Sequence, residues 1–201
     1  MGATVLHEDA IFPVRAAGIP VNIKNTNQPE DRGTMIVSES AEHCDHIITG
    51  IAGKKGMSVI NIEKDKMNSE IGFGKNVLRA LEKSNVSFEH MPSGVDTMSV
   101  VIATEALAGK ETAIIDEIKS RVHPDQIYIE SNLALIAVVG RGMKSARGTA
   151  AILFSALADA RVNIKMIDQG SSELNIIVGV EEEDFEVAIK AIYKRFIGIN
   201  Q

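Results

Sequence analysis

The sequence predicts an α+β fold made of two βαββαβ units. Three observations carry this. Leu133–Val139 is an unbroken apolar run, short enough for a buried strand. After the breaks at Gly140, Gly142 and Gly148, Ala150–Ala160 places Ile152, Leu153, Ala156 and Leu157 on one side at helical spacing. The same stretch occurs earlier, at a constant offset of 76 positions and without gaps: Ile60 falls on Ile136, Met67 on Met143, Gly72 on Gly148, Ala80 and Leu81 on Ala156 and Leu157, Val86 on Val162, and Gly94 on Gly170. A helix breaker, a helix core pair and a turn recurring in register define an internal repeat.

In chain order, Asp9–Ala17 predicts a short helix interrupted by Pro13. Ile19–Ile23 predicts a strand, Asn25–Gly33 a turn-rich loop, and Gly33–Val37 a further short apolar run. These pieces are too few to bury a core alone. In copy one, strand Met57–Glu63 leads through the loop Lys64–Ile71 to helix Gly72–Ser84, with Val77, Leu78 and Leu81 inward. Strand Val86–Met91, a turn at Pro92–Gly94 and strand Met98–Ala103 follow. Helix Glu111–Arg121 presents Ile114, Ile115 and Ile118 and stops at His123-Pro124. Gln126–Glu130 closes the unit as a short strand, giving the order of a ferredoxin-like split unit. Copy two runs from Leu133 through strands Val162–Ile167 and Leu174–Val180 to helix Asp184–Phe196. It lacks a final strand, because the counterpart of Gln126–Glu130 would lie beyond Gln201. The unassigned strand Ile47–Ala52 is available to complete it, since a bare central edge invites aggregation. Copy one is then an insertion within copy two.

Composition removes several function classes. A net charge of −6 over 201 residues disfavours nucleic acid as a partner. Nothing in the sequence resembles a signal peptide or a membrane-spanning run. A single cysteine, Cys44, excludes an internal disulfide and fits a reducing compartment. His43 and His46 flank it, but a lone C-x-H explains no metal site. No phosphate-binding loop, nucleophile elbow or zinc spacing occurs, so no catalytic residue or metal ligand is expected, and binding coupled to a change of shape is.

The loops after the first strand of each copy are the expected ligand positions. Lys64–Gly74 ends at a helix N-terminus, whose free N–H groups suit a carboxylate, and Gly72 and Gly74 allow close approach. Copy one carries acids that copy two lacks: Glu70 falls on Ala146, Glu89 on Lys165 and Asp96 on Ser172. Amides for a carboxylate and acids for ammonium groups suit a zwitterion with an additional cationic group.

These residues also resemble a known family. Ala134–Ile176, ending in NIKMIDQGSSELNI, resembles the second ACT domain of aspartokinases. Met67–Ile102 is similar to the first ACT domain of the lysine-responsive type, and Gly2–Ile36 to the carboxyl end of the aspartokinase catalytic domain. The resemblance implies residues 1–42 as a catalytic-domain remnant, 56–131 as the first ACT domain, and 46–53 with 132–201 as the second, so that the first is inserted in the second. It implies an effector site at Met67, Glu70, Ile71, Gly72, Phe73, Gly74, Ser87, Phe88, Glu89, Ser93, Gly94 and Asp96. The turn Pro92–Asp96 is one residue longer than the T-S-E of lysine-responsive relatives. A second effector site would involve Asn163, Ile164 and Gln169.

The implied function is allosteric feedback on an aspartate kinase, which makes 4-phospho-L-aspartate from ATP and L-aspartate. The implied effector is an aspartate-family amino acid, lysine alone or lysine with threonine. ATP and Mg would serve the parent enzyme, no cofactor would serve this fragment, and the fragment would be inactive alone. A cytoplasmic homodimer through the ACT domains is expected, without nucleic acid or membrane. The alternative is a freestanding ACT regulator of another enzyme. A nucleic-acid-binding ferredoxin-like fold ranks far behind, for want of basic surface and aromatics, and a metal carrier lacks its C-x-x-C loop.

Overall fold

A computed structural model describes residues 8–37, 47–144 and 146–199. Cys44, His43 and His46 lie outside the described residues, as does Ser145. The chain divides into two units, with the break after Asp45.

The smaller unit holds helix α1 (Glu8–Ala16) and a hairpin of β1 (Val21–Ile23) and β2 (Thr34–Ile36), with Val21 opposite Ile36. Pro13 does not interrupt α1, contrary to the sequence expectation; the helix continues and the Pro13 carbonyl accepts the Ala17 N–H at 3.1 Å. In the loop between the strands, the Asn25 side chain accepts the Asn27 N–H at 3.0 Å, a turn that asparagine forms locally.

The larger unit is built on one antiparallel sheet in the order β4-β3-β5-β7-β6. Its strands are β3 (Gly50–Glu63), β4 (Thr97–Ala103), β5 (Gln126–Val139), β6 (Met166–Asp168) and β7 (Asn175–Glu181). Its helices are α2 (Phe73–Lys83), α3 (Thr104–Leu107), α4 (Glu111–Val122), α5 (Thr149–Asp159) and α6 (Phe185–Ile199). The repeat is visible in the helix limits, since adding 76 to those of α2 gives those of α5. The short α3 was not foreseen.

The sequence predicts two sheets, and the structure joins them into one. β3 and β5 each run 14 residues and belong to both copies. Met57–Glu63 pairs with β4 and with the first half of β5, whereas Gly50–Lys54 pairs with Val139–Leu135. The Thr49 N–H extends this pairing to the Val139 carbonyl at 2.7 Å. The strand proposed to complete copy two therefore lies beside copy two's first strand. The halves of β3 meet at register shifts between Lys54 and Val59, where Gly56 takes a φ of +73°. On β5, Asn132 takes a φ of +62°. One extra residue on each strand exchanges its two faces. Ile51 then shares a side with Ile60 and Ile62, and Ile129 with Ala134 and Ile136, so all the long helices cover one face. α2 and α4 bury Ile60, Ile62, Val77, Leu81, Ile114 and Ile118. α5 and α6 bury Ile136, Val138, Leu153, Leu157, Ala188 and Ile192. A Cβ at Gly53 would collide with Phe185, so α6 lies close on β3 there.

The opposite face bears Met57, Val59, Val101, Leu133, Leu135, Ala137 and Ile177 and is also buried, at 7 % exposure or less, without belonging to either helical core. Curvature buries it. His90, bridged to β4 at one edge of the sheet, places Nδ1 3.0 Å from Oδ2 of Asp168 in β6, the strand at the other edge. The sheet has curled until its edges touch, and the third cluster fills the inside.

Two strand predictions contract. Val86–Met91 is not a regular strand; its neighbourhood contributes isolated bridges, His90 to Val101 and Ser93 to Met98. Val162–Ile167 is reduced to β6. The same device precedes both. Asn85 and Arg161 take left-handed φ values of +50° and +58°, and the N–H groups of Val86 and Val162 return to the carbonyls of Leu81 and Leu157 at 3.0 Å. The chain starts from a helix cap rather than a strand, and Pro92 then withholds a ladder donor.

Candidate functional site

Each copy turns from its first strand into its first long helix through a glycine with left-handed φ, Gly72 at +84° and Gly148 at +89°. An added Cβ would meet nothing within 4 Å at either position, so the backbone angle and not crowding requires glycine. The first helical N–H groups beyond each glycine lack partners within the helix.

In copy two, this bend and the facing turn enclose an open depression of about 490 Å³. It is lined by Met143, Ala146, Arg147, Gly148, Thr149, Ala150, Gln169, Gly170, Ser171 and Glu173. Subtracting 76 from the first eight gives Met67, Glu70, Ile71, Gly72, Phe73, Gly74, Ser93 and Gly94, the centre of the site expected in copy one. Of the second set expected from the sequence, Gln169 lines the depression, Ile164 packs against the copy-two core, and Asn163 is exposed outside it. Arg147, Thr149 and Ser171 escaped the sequence reading, although the offset applied to copy one points to the first two.

In copy one the same positions are occupied by the chain's own groups. Phe73 and Met67 are buried in the core. Lys64 reaches across the bend: its ammonium pairs with Glu70, donates to the Val122 carbonyl at 2.5 Å and lies 5.8 Å from the centre of the Phe73 ring. Asp96 fixes the loop by accepting the Lys66 N–H at 2.8 Å, and the Val95 carbonyl accepts from Asn68 at 3.1 Å. Ile71 is fully exposed, Val95 largely so, and Phe88 partly, at 43 %. Ser87, Ser93 and Gly94 are exposed, and Gly74 is half-buried, 3.6 Å from Met98 at its Cβ position.

Glu89 faces elsewhere. Its carboxylate accepts from Lys54 of β3 at 2.6 Å, and that hydrogen bond holds its pKa below the ordinary carboxylate value. Its repeat counterpart, Lys165, bridges Glu130 at 2.5 Å and Glu181 at 2.9 Å, contacts that raise the lysine's pKa in that order. Among the described residues, no group of three or more His, Cys, Asp or Glu could hold a metal ion, and no helix is long and apolar enough to cross a membrane.

A family model described as an ACT domain matches residues 136–196. Aspartokinase 3 of Bacillus subtilis is 42% identical over 196 residues, covering 97% of this chain and 43% of the relative. This is an aspartokinase-family regulatory ACT region. The crystal structure of aspartate kinase from Clostridium acetobutylicum superposes on it with a TM-score of 0.89 and 56% identity, over 96% of this chain and 45% of that one. E. coli aspartokinase III, solved with lysine and aspartate in a T-state, shares the fold at a TM-score of 0.76 and 21% identity, over 96% of this chain and 42% of that one. The regulatory region thus spans less than half the length of these relatives. Its two ACT copies are the two halves of the curled sheet, and the bends at Gly72 and Gly148 are their corresponding loops.

Proposed function

We propose that this regulatory region binds a free aspartate-family amino acid, lysine alone or lysine with threonine, and conveys its occupancy to an aspartate kinase domain as feedback inhibition. The observation that carries this reading is the seat of Lys64. At the copy-one bend the chain already holds a primary ammonium between the Glu70 carboxylate, a backbone carbonyl and an aromatic ring. A diamino acid would offer its own ammonium to Glu70 and Asp96 and its carboxylate to the amides beyond Gly72. Copy two has Ala146 and Ser172 at the acidic positions, so a cationic effector fits copy one better.

Exposed Ile71, Val95 and Phe88 around the bend support homodimerisation through the ACT copies, with effector near the interface. An effector that prefers one arrangement of two subunits shifts the equilibrium by its differential affinity alone. In this reading ATP, Mg and aspartate phosphorylation belong to the kinase domain of a longer cytoplasmic enzyme.

Calorimetric titration of the chain with lysine, threonine and both at millimolar concentration tests the proposal. Heat of binding and a raised thermal midpoint are expected with lysine, and Glu70→Gln should remove most of both. No heat and no shift with any of the three would overturn it.

A further inference from the structure

The inner face of the curled sheet pairs unlike copies, and its apolar surface alone does not explain why. At the 76-residue offset Met57 corresponds to Leu133, Val59 to Leu135 and Val101 to Ile177, so each copy brings a near-equivalent patch to the third cluster. Patches this alike would suit two copies of the same kind about as well as two different ones.

The charged residues at the rim do differ. Lys54, on the part of β3 that pairs with copy two's Leu135, holds Glu89 of copy one. Glu130, on the part of β5 that pairs with copy one's Val59, holds Lys165 of copy two. Both bridges cross between the copies. Adding 76 to Lys54 gives Glu130, and adding 76 to Glu89 gives Lys165. The second bridge is the first with its signs exchanged.

We propose that these two sign-reversed bridges are a charge code that makes the inner face of copy one accept copy two and reject a second copy one. If two copies one met face to face, Glu89 would oppose Glu130. If two copies two met, Lys165 would oppose Lys54, with Glu181 of its own copy still 2.9 Å from it. Only the mixed pairing neutralises both Glu89 and Glu130, and their repulsion in the copy-one pairing supplies the discrimination that the apolar floor lacks. The partner that fits this face is therefore copy two, from the same chain or from a second one.

The test separates stabilisation from discrimination. K54E/E89K restores attraction within the chain but gives both copies the same code, lysine opposite glutamate, so that like pairing is no longer repelled. K54Q/E89Q removes one bridge without creating a new attraction. Each variant and the wild type are refolded from urea at roughly millimolar chain, where a second chain competes with the tethered copy. Weight-average mass is read by sedimentation, and the thermal midpoint by circular dichroism. K54E/E89K should keep the wild-type midpoint and raise the mass toward about twice the wild-type value. K54Q/E89Q should lose about 2–4 °C and keep the wild-type mass. An unchanged mass in K54E/E89K, a midpoint it fails to recover, or an equal rise in K54Q/E89Q would overturn the code.

Discussion

The two glycine bends share a backbone and differ in what fills them. Gly72 and Gly148 have nearly the same φ, and α2 and α5 begin and end at corresponding positions. At the copy-two bend, Ala146, Arg147 and Thr149 border an open depression. At the copy-one bend, the corresponding Glu70, Ile71 and Phe73 are respectively tied to Lys64, exposed and sunk in the core. The repeat conserves the frame and leaves the chemistry to a handful of side chains.

The largest test of that comparison concerns the common frame. Leu81 and Leu157 are equivalent and almost wholly buried, at 1 % and 0 % exposure. Replacing either by alanine should cost about 2–5 kcal/mol. Because the copies share β3 and β5, denaturant should still unfold the larger unit in one transition for both variants. Separate transitions for the two copies would break the picture of a single frame.

The next largest effect distinguishes the bends chemically. Glu70→Gln should weaken lysine binding by about tenfold or more, the loss of a charge-assisted contact, whereas Ala146→Gln at the corresponding place should leave it nearly unchanged. Equal effects in calorimetry would place the effector elsewhere. Of comparable size are Gly72→Ala and Gly148→Ala, each expected to cost roughly 1–2 kcal/mol through left-handed φ; a marked inequality would show that the two bends are not the same device. Lys64→Met should act in the opposite direction. It removes the resident ammonium, so lysine binding should tighten by about threefold to tenfold. Weaker binding would mean that Lys64 builds the site rather than competes for it.

The smallest effect is in pH. Glu89, held down by Lys54, and Glu117, held down by Lys83 and Arg121, have lowered pKa values. Their stabilisation is present above the ordinary 4.5 and is lost as pH falls through the folded values. Lys165 is raised, so its contribution is present below the ordinary 10.5 and is lost as pH rises through the folded value. Thermal midpoints should be flat between these limits. Glu89→Gln should flatten the acid side, and Lys165→Met the alkaline side.

Much of this was legible in the sequence because it is periodic. The offset that aligns Leu81 with Leu157 also fixes the helices, and the strand missing from copy two pointed to Ile47–Ala52. The fused sheet was less legible, since Lys54–Met57 reads as a polar break between two strands, and only the bulge at Gly56 lets the ladder continue. Val86–Met91 alternates like a strand, but the cap at Asn85 and the missing donor of Pro92 prevail locally. The meeting of His90 with Asp168 depends on curvature summed over five strands, which no spacing in the sequence encodes. At the copy-one bend, Gly72 was readable as a backbone requirement. The occupation of Glu70 by Lys64 was not, because side-chain partners six residues apart across a bend follow no period.

The way β3 and β5 are shared has a consequence for how such a chain could be assembled or taken apart. Lys54 lies opposite Leu135, so the two points at which the chain leaves and re-enters copy two are neighbours in a ladder. Removing everything between them would leave ends that a tight turn could join, with copy two's strands still in order. The reverse excision has no such solution, since copy two arrives in two separated pieces. One module is thus a passenger lodged in a hairpin of the other, and only the passenger can be gained or lost in a single genetic event.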